Sequence, residues 1–218
     1  QPAVSCCAQG GAAQQHVRGT KKMDDIQLQL NKAKAFGEWL HSETNESEIK
    51  VFRREALALS IFQQSLDVND GIIILLQSNM PGPAWALARP LFESYVRGLW
   101  LLRYASEREI DKFIEGKCPK LTQLLNAIGD EPETGGAWIT TKAKNLPAFH
   151  DLTHGGVEHY RRRMADGEIR PNYPVSELIN LVKFGIEVQI RVGTELLNLI
   201  NKESALERLH SIANELQM

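Results

Sequence analysis

Apolar residues recur at helical spacing along most of the chain. From residue 24 to about residue 41 they predict a first amphipathic helix that has acidic residues in its first turn. A polar break at residues 44–47 precedes a second long helix, predicted from about residue 51 to 76. A Pro-Gly-Pro turn then follows, and Pro83 suits the first position of a third helix that runs through Tyr104.

The third predicted helix is apolar on nearly every side, which is typical of a central helix. Pro90 is expected to kink it, because proline lacks the N–H group that would bond to the carbonyl of Ala86. Against this background Arg89, Glu93 and Arg97 lie four residues apart on one stripe. Because buried charges must be paired, we expect a partly buried ladder of these three side chains that meets the following segment.

Residues 106–174 differ from the rest, because their apolar runs are shorter and glycine and proline are frequent. Short helices and loops are predicted there, with helices at about residues 119–128, 137–144 and 146–154. A long fourth helix is predicted after Pro174 and a last helix from Glu203. No useful strand-like alternation appears. The pattern predicts an all-α fold: an antiparallel bundle of four long helices, a short-helix insertion (106–174) between the third and fourth, and a C-terminal helix.

The composition of the chain adds predictions about its domains, its charge and its cysteines. The first 22 residues are rich in Gly, Gln and Ala, so residues 1–22 are predicted to be a disordered extension of a single helical domain at 23–218, with Met23 as a hypothetical natural start. A net charge of -2 gives no overall electrostatic footprint of a nucleic-acid binder, although a local basic patch stays open. The three cysteines have neither disulfide nor metal spacing, so a cytoplasmic protein without a cofactor is expected. No uninterrupted apolar stretch predicts a membrane span.

The segment His150–Arg163 concentrates the chemistry of the chain. His150 and His154 share a face if the segment is helical, which is a spacing at which two imidazoles can hold one zinc ion. The third ligand would be Glu158, His159 or Glu93. The pattern lacks the glutamate that metalloproteases carry directly after the first histidine, and two histidines at helical spacing are often capping or core residues. We therefore assign no metal site.

A helix end is predicted directly after His154. Gly155 looks like a C-cap, which would place His154 beside unpaired carbonyl groups and favour the imidazolium, a proton donor. Gly156 would let a new helix begin, carrying Arg161 and Arg163, whose guanidinium groups suit phosphate or carboxylate. The alternative is that this arginine run is only a solvated helix face.

Three short motifs are similar to those of a group of uncharacterised bacterial all-helical proteins. They are Arg89-Pro-Leu-Phe-Glu93, Asp151-Leu-Thr-His154-Gly-Gly and Ile169-Arg-Pro-Asn-Tyr173, and the likeness spans about residues 50–200. The resemblance implies an all-helical fold. It implies no particular reaction, because that group has no assigned one.

More distantly, a helical bundle with an arginine and a later histidine resembles the HEPN superfamily. Its members include metal-independent ribonucleases of phage defence and toxin systems, which use a compact Arg-to-His motif. This chain departs from that motif, because no arginine lies at the short spacing before His154. Arg89 would have to serve from another helix.

Three functional hypotheses remain open. In the first, His154, Arg89 and Glu93 form the centre of a polar site that binds an anionic small molecule, nucleotide or RNA, with His150, Arg97, Arg161 and Arg163 as further ligand-binding residues. In the second, the same centre is a HEPN-like endoribonuclease in which His154 is the general acid or base. In the third, the chain is a non-catalytic structural module, with homodimerisation through its apolar helices.

Overall fold

The computed structural model describes residues 10–45, 52–130, 135–165 and 167–217, and within these ranges it describes side chains from residue 24 to 216. The predicted all-α class is confirmed. The helices are α1 Gly10–Thr44, α2 Arg53–Gln77, α3 Pro81–Ala86, α4 Ala88–Arg103, α5 Glu107–Ile114, α6 Leu121–Ile128, α7 Gly136–Ala143, α8 Leu146–His154, α9 Val157–Arg161, α10 Val175–Leu199 and α11 Glu203–Gln217. A short antiparallel hairpin, β1 Met164–Ala165 and β2 Glu168–Ile169, lies between α9 and α10. Its strands are too short to give an alternating pattern in the sequence.

Helix α1 begins earlier than the apolar pattern predicts. Gly10 starts it, so residues 10–22 continue the helix although the sequence predicts a disordered extension there. Alanine, glutamine, arginine and lysine make up seven of the residues 10–22 and favour a helix, whereas three glycines in the same stretch disfavour it. Residues 1–9 of the predicted extension lie outside the described residues, and the division of the chain at Met23 stays a prediction.

Helices α2 and α4 form the centre of the bundle and run antiparallel. Near one end, the Arg54 guanidinium donates to the carbonyl of Leu101. Further along, Ser65 lies at 3.4 Å from the carbonyl of Leu91. Gly98 allows the close approach, because a Cβ atom there would lie 2.6 Å from the buried Phe62 ring. A larger residue at this position would push the two helices apart.

Helices α4 and α10 run in the same direction. The Phe92 and Phe184 rings pack at 6.4 Å, and eleven residues later on each helix Arg103 meets Glu195. The insertion explains this direction, because it carries the chain back along the bundle before α10 begins. The predicted antiparallel arrangement therefore holds for α2 against α4 and not for α4 against α10.

The third predicted helix is two helices rather than one kinked helix. Helix α3 ends at Ala86 and α4 begins at Ala88, with Leu87 between them in a turn. Pro90 lies in the first turn of α4, where a missing N–H group costs nothing because the first-turn N–H groups have no partner within the helix. The break therefore falls at the residue before α4 and not at the proline.

The insertion consists of the short helices α5 to α9 and the hairpin. The helices predicted at about residues 119–128, 137–144 and 146–154 correspond to α6, α7 and α8. Helix α5 was not predicted, although Ser106 and Glu109 give it a capping box. Among the described residues, no helix combines the length and apolar character needed to cross a membrane.

Candidate functional site

The break at Leu87 gives the insertion its attachment point. Pro90 has no N–H group, so the carbonyl of Ala86 lacks its usual partner within a continuous helix. The Thr153 hydroxyl of α8 lies 3.1 Å from that carbonyl and 2.8 Å from the carbonyl of Phe149 in its own helix. The threonine of the Asp-Leu-Thr-His motif thus ties α8 to the last residue of α3, at the break before α4.

This attachment brings the two histidines of α8 to the arginine of α4. Arg89 Nη1 forms a short hydrogen bond with His150 Nδ1. A guanidinium can only donate, so Nδ1 is the acceptor and the ring proton of a neutral His150 is on Nε2. The His154 ring lies beside the His150 ring, with a centroid distance of 4.5 Å and a tilt of 53°. Both histidines are exposed.

The predicted ladder on α4 is present. Arg89 Nε donates to Glu93 Oε1 at 2.6 Å, and Arg97 Nη2 lies 3.8 Å from Glu93 Oε2. The side chains of Arg89, Glu93 and Arg97 are 27%, 23% and 26% exposed, so the ladder is partly buried. Arg97 Nε also donates to the sulfur of Cys118 at 3.1 Å. The sequence pattern gave no partner for Cys118, because this contact joins α4 to a loop of the insertion.

His154 ends α8 as the sequence predicts. Gly155 is the C-cap, with φ 76° and ψ 29°, a left-handed conformation that favours glycine. His154 therefore lies in the last helical turn, beside the carbonyl groups at the end of α8. Its neighbour His150 lies one turn earlier on the same face, so the pair presents two imidazoles next to Arg89.

The arginines of α9 and the following turn point to other partners. Arg161 is exposed and pairs with Glu158 at 2.5 Å. A Cβ atom on Gly82 would lie 3.1 Å from Arg163 Nη2, so this guanidinium is at the start of α3. In the described ranges, neither arginine has a hydrogen bond or ion pair with Arg89, Glu93 or the two histidines. Their predicted part in the site stays a prediction.

The zinc hypothesis needed a third ligand beside His150 and His154. Within the part of the chain that the structure describes, no group of three His, Cys, Asp or Glu side chains is arranged to hold a metal ion. Of the ligands considered, Glu93 is paired with two arginines, and Glu158 is paired with Arg161.

A second charged ladder, which the sequence reasoning missed, lies on α10. Glu187, Arg191 and Glu195 have the same four-residue spacing as the ladder on α4. Glu187 Oε2 accepts from Trp138 Nε1 at 2.9 Å and lies 2.5 Å from Lys142 Nζ. The spacing was visible in the sequence and could have identified this ladder.

The α10 ladder contacts an aromatic ring and α4, and its Glu187 side chain is 32% exposed. The Arg191 guanidinium lies 4.4 Å from the centre of the Trp138 ring. Glu195, which is 8% exposed, accepts two hydrogen bonds from Arg103 Nη2, at 2.7 and 2.9 Å. Burial raises the pKa of the neighbouring Tyr95 to about 12, against the opposing effect of Arg191. Tyr95 is therefore a neutral hydrogen-bonding group at physiological pH.

The model of a family of unknown function (DUF6988) matches residues 62–218. The chain belongs to this family. Searches of curated proteins and of solved structures each returned no match. In this DUF6988 chain the matched region contains α4, the insertion and α10, and hence both ladders and both histidines. The family carries no assigned reaction, which agrees with the resemblance to an uncharacterised group, so the function must be argued from the site.

Proposed function

We propose that Arg89, Arg97, His150 and His154 bind the phosphate group of a nucleotide or of RNA. The observation that carries this proposal is the contact between Arg89 Nη1 and His150 Nδ1 at a partly exposed surface. Beyond Glu93, the positive guanidinium of Arg89 contacts only an imidazole nitrogen among the described residues, so an anion is a favourable occupant of the space beside it.

Hydrogen-bond donors are available for such an anion. Arg89 uses Nε for Glu93 and Nη1 for His150, and within the described residues Nη2 has no partner. Both nitrogen atoms of His154 are without partners there as well, and His150 keeps a proton on Nε2. A phosphate oxygen can accept from the guanidinium and from an imidazole at the same time.

The charges of the site favour an anion. One carboxylate, Glu93, is shared between two guanidinium groups that are always protonated, so a positive charge remains. Its side chain is three-quarters buried, which strengthens its hold on Arg89 and fixes the direction of that guanidinium. We assign to Glu93 the role of positioning Arg89, and to Arg161 and Arg163 the role of contacting a longer ligand at the rim.

A second function, metal-independent RNA cleavage of the HEPN type, is favoured by one specific observation. The rings of His150 and His154 are neighbours at 4.5 Å beside Arg89. Phosphodiester cleavage needs one group to take a proton and another to donate one, and a cation to stabilise the developing charge. Two imidazoles and a guanidinium supply these three parts. The proposal assumes a cytoplasmic setting, where both nucleotides and RNA occur.

The first test is binding of ATP and of a short single-stranded RNA, measured by isothermal titration calorimetry on the full chain. We expect His154→Ala to lower the affinity at least about tenfold, because a hydrogen bond to a charged group is lost. His210, an exposed histidine of α11, provides the matched control, and His210→Ala should bind like the wild type.

Two outcomes decide between the functions. RNA cleavage that persists in EDTA and disappears in His154→Ala would favour the endoribonuclease. If neither ligand binds, and His154→Ala only lowers the unfolding free energy, the site is structural, and the predicted homodimer would become the main question for size-exclusion chromatography.

A further inference from the structure

A cavity lies on the face of α8 opposite His150 and His154. It has a volume of about 400 Å³, within the range of small-molecule sites. Ala148, Phe149 and Leu152 of α8 line it together with the preceding Asn145, whereas His150 and His154 face Arg89. At about 100° per residue these two sets lie on opposite sides of the helix. The cavity is therefore separate from the proposed phosphate site.

The walls of this cavity are aromatic. Trp85, Phe149 and Phe184 line it, and the Phe149 and Phe184 rings pack at 5.6 Å from each other. Aromatic walls favour a flat apolar ligand, because rings stack in offset or tilted arrangements and exclude water. Phe149 and Phe184 are 6% exposed, so the wall belongs to the packed core and is held in place.

Three cations line the same cavity, and two of them are paired with carboxylates. Lys142 is paired with Glu187 at 2.5 Å, and Arg162 Nη1 lies 2.9 Å from Glu177 Oε2 without hydrogen-bond geometry. Lys183 is exposed and has no ion pair within the described ranges. Lys183 is therefore the cation of this lining that has no carboxylate beside it among the described residues, and an acidic group on a ligand would pair with it.

Two buried N–H groups at the cavity lack a protein acceptor. The Nε1 atom of Trp85 and the Nε atom of Arg162 are both buried and have no hydrogen-bond partner among the described residues. The Arg162 guanidinium lies 6.0 Å from the centre of the Trp85 ring, so the two donors belong to one cluster. Buried donors without an acceptor are costly and uncommon. Together with Lys183, they call for an acceptor oxygen on a ligand.

We propose that this cavity binds a small aromatic acid, with the ring between Trp85, Phe149 and Phe184 and the acidic group at Lys183 and Arg162. Both carboxylates and phosphates carry this chemistry. The inference does not rest on the proposed phosphate site, because it uses none of the residues of that site.

The test uses the indole N–H resonances of the full chain, observed by NMR during titration with indole-3-acetate, phenyl phosphate and the neutral indole-3-acetamide. The Trp85 resonance is assigned with Trp85→Phe. Trp39 serves as an internal control, because its Nε1 atom is also buried without a partner but lies between α1 and α11. We expect a saturable shift at Trp85, none at Trp39, and binding of the amide that is weaker by about tenfold or more.

Four variants complete the test. Lys183→Gln should lower the affinity about tenfold, whereas Lys112→Gln, on the exposed face of α5, should not change it. Ala148→Phe should abolish the Trp85 shift, because Ala148 is exposed at the cavity and a phenyl group there fills the space without entering the core. His154→Ala should leave the shift intact, which separates this inference from the proposed function.

The proposal is overturned if neither acid shifts Trp85 saturably, if the amide binds as well as the acids, or if Lys183→Gln binds like the wild type.

Discussion

Helices α4 and α10 carry charged ladders of the same spacing and opposite order of charge. On α10 each carboxylate has a cation from another element: Glu187 has Lys142, and Glu195 has Arg103. The central Arg191 is covered by the Trp138 ring. We call this set the closed ladder.

On α4 the ladder is open. Arg89 and Arg97 share the single carboxylate of Glu93, and the remaining contact of Arg89 is with an imidazole. All three ladder side chains are about a quarter exposed. The same four-residue pattern thus gives two carboxylates on α10 that are each paired with a cation from another element, and a network with spare donors on α4. The four-residue spacing alone therefore does not distinguish a structural ladder from a candidate site. The side chains that other helices and loops contribute make the difference.

The largest effect is expected from opening the closed ladder. Arg103→Gln leaves Glu195 buried without its hydrogen-bonded cation, and should lower the free energy of unfolding by about 2 to 3 kcal/mol. Urea denaturation followed by circular dichroism measures this. Arg108→Gln, on the exposed side of α5, is the matched control and should stay within about 0.5 kcal/mol of the wild type. Equal stability of the two variants would mean that the closed ladder does not hold the bundle together.

A smaller effect is expected from loosening the support of the open ladder. Thr153→Val removes the hydroxyl that reaches the carbonyl of Ala86, and should cost about 1 kcal/mol of unfolding free energy. Because α8 then holds His150 less firmly against Arg89, the affinity for ATP should also fall. Thr141→Val is a suitable control, because Thr141 is exposed and its hydroxyl bonds only within α7. An affinity unchanged in Thr153→Val would show that this attachment does not position the histidines.

Much of the fold could be predicted from the sequence because helical periodicity and caps are local signals. The bounds of α8, its C-cap at Gly155 and the ladder on α4 all follow from residues within one or two turns of each other. The direction of α10 relative to α4 could not be predicted, because it depends on how the whole insertion packs. The short hairpin was missed because its strands are too short to give an alternating pattern. The break at Leu87 was missed because its position depends on packing. A proline indicates that a helix is disturbed, but the surrounding packing decides where.

The site was predicted in part. Arg89 and Glu93 were expected to meet the insertion, and the structure brings them to His150 with His154 beside it. The two donors of the aromatic cavity, Trp85 and Arg162, could not be recognised, because an unpaired N–H group is visible only when its surroundings are known. Whether the residues at Arg89 bind a ligand stays a prediction.

The most direct test measures stability and ATP affinity together for Arg89→Gln and Arg191→Gln. The account predicts that Arg89→Gln loses less than about 1 kcal/mol of unfolding free energy, because its pair is partly exposed, while its ATP affinity falls at least about tenfold. Arg191→Gln should lose about 1 to 2 kcal/mol, because it removes the cation–π contact with the Trp138 ring, and should keep the wild-type affinity at a temperature where it is folded. The opposite pattern, in which Arg89→Gln is strongly destabilised and binds ATP like the wild type, would contradict the division into an open and a closed ladder.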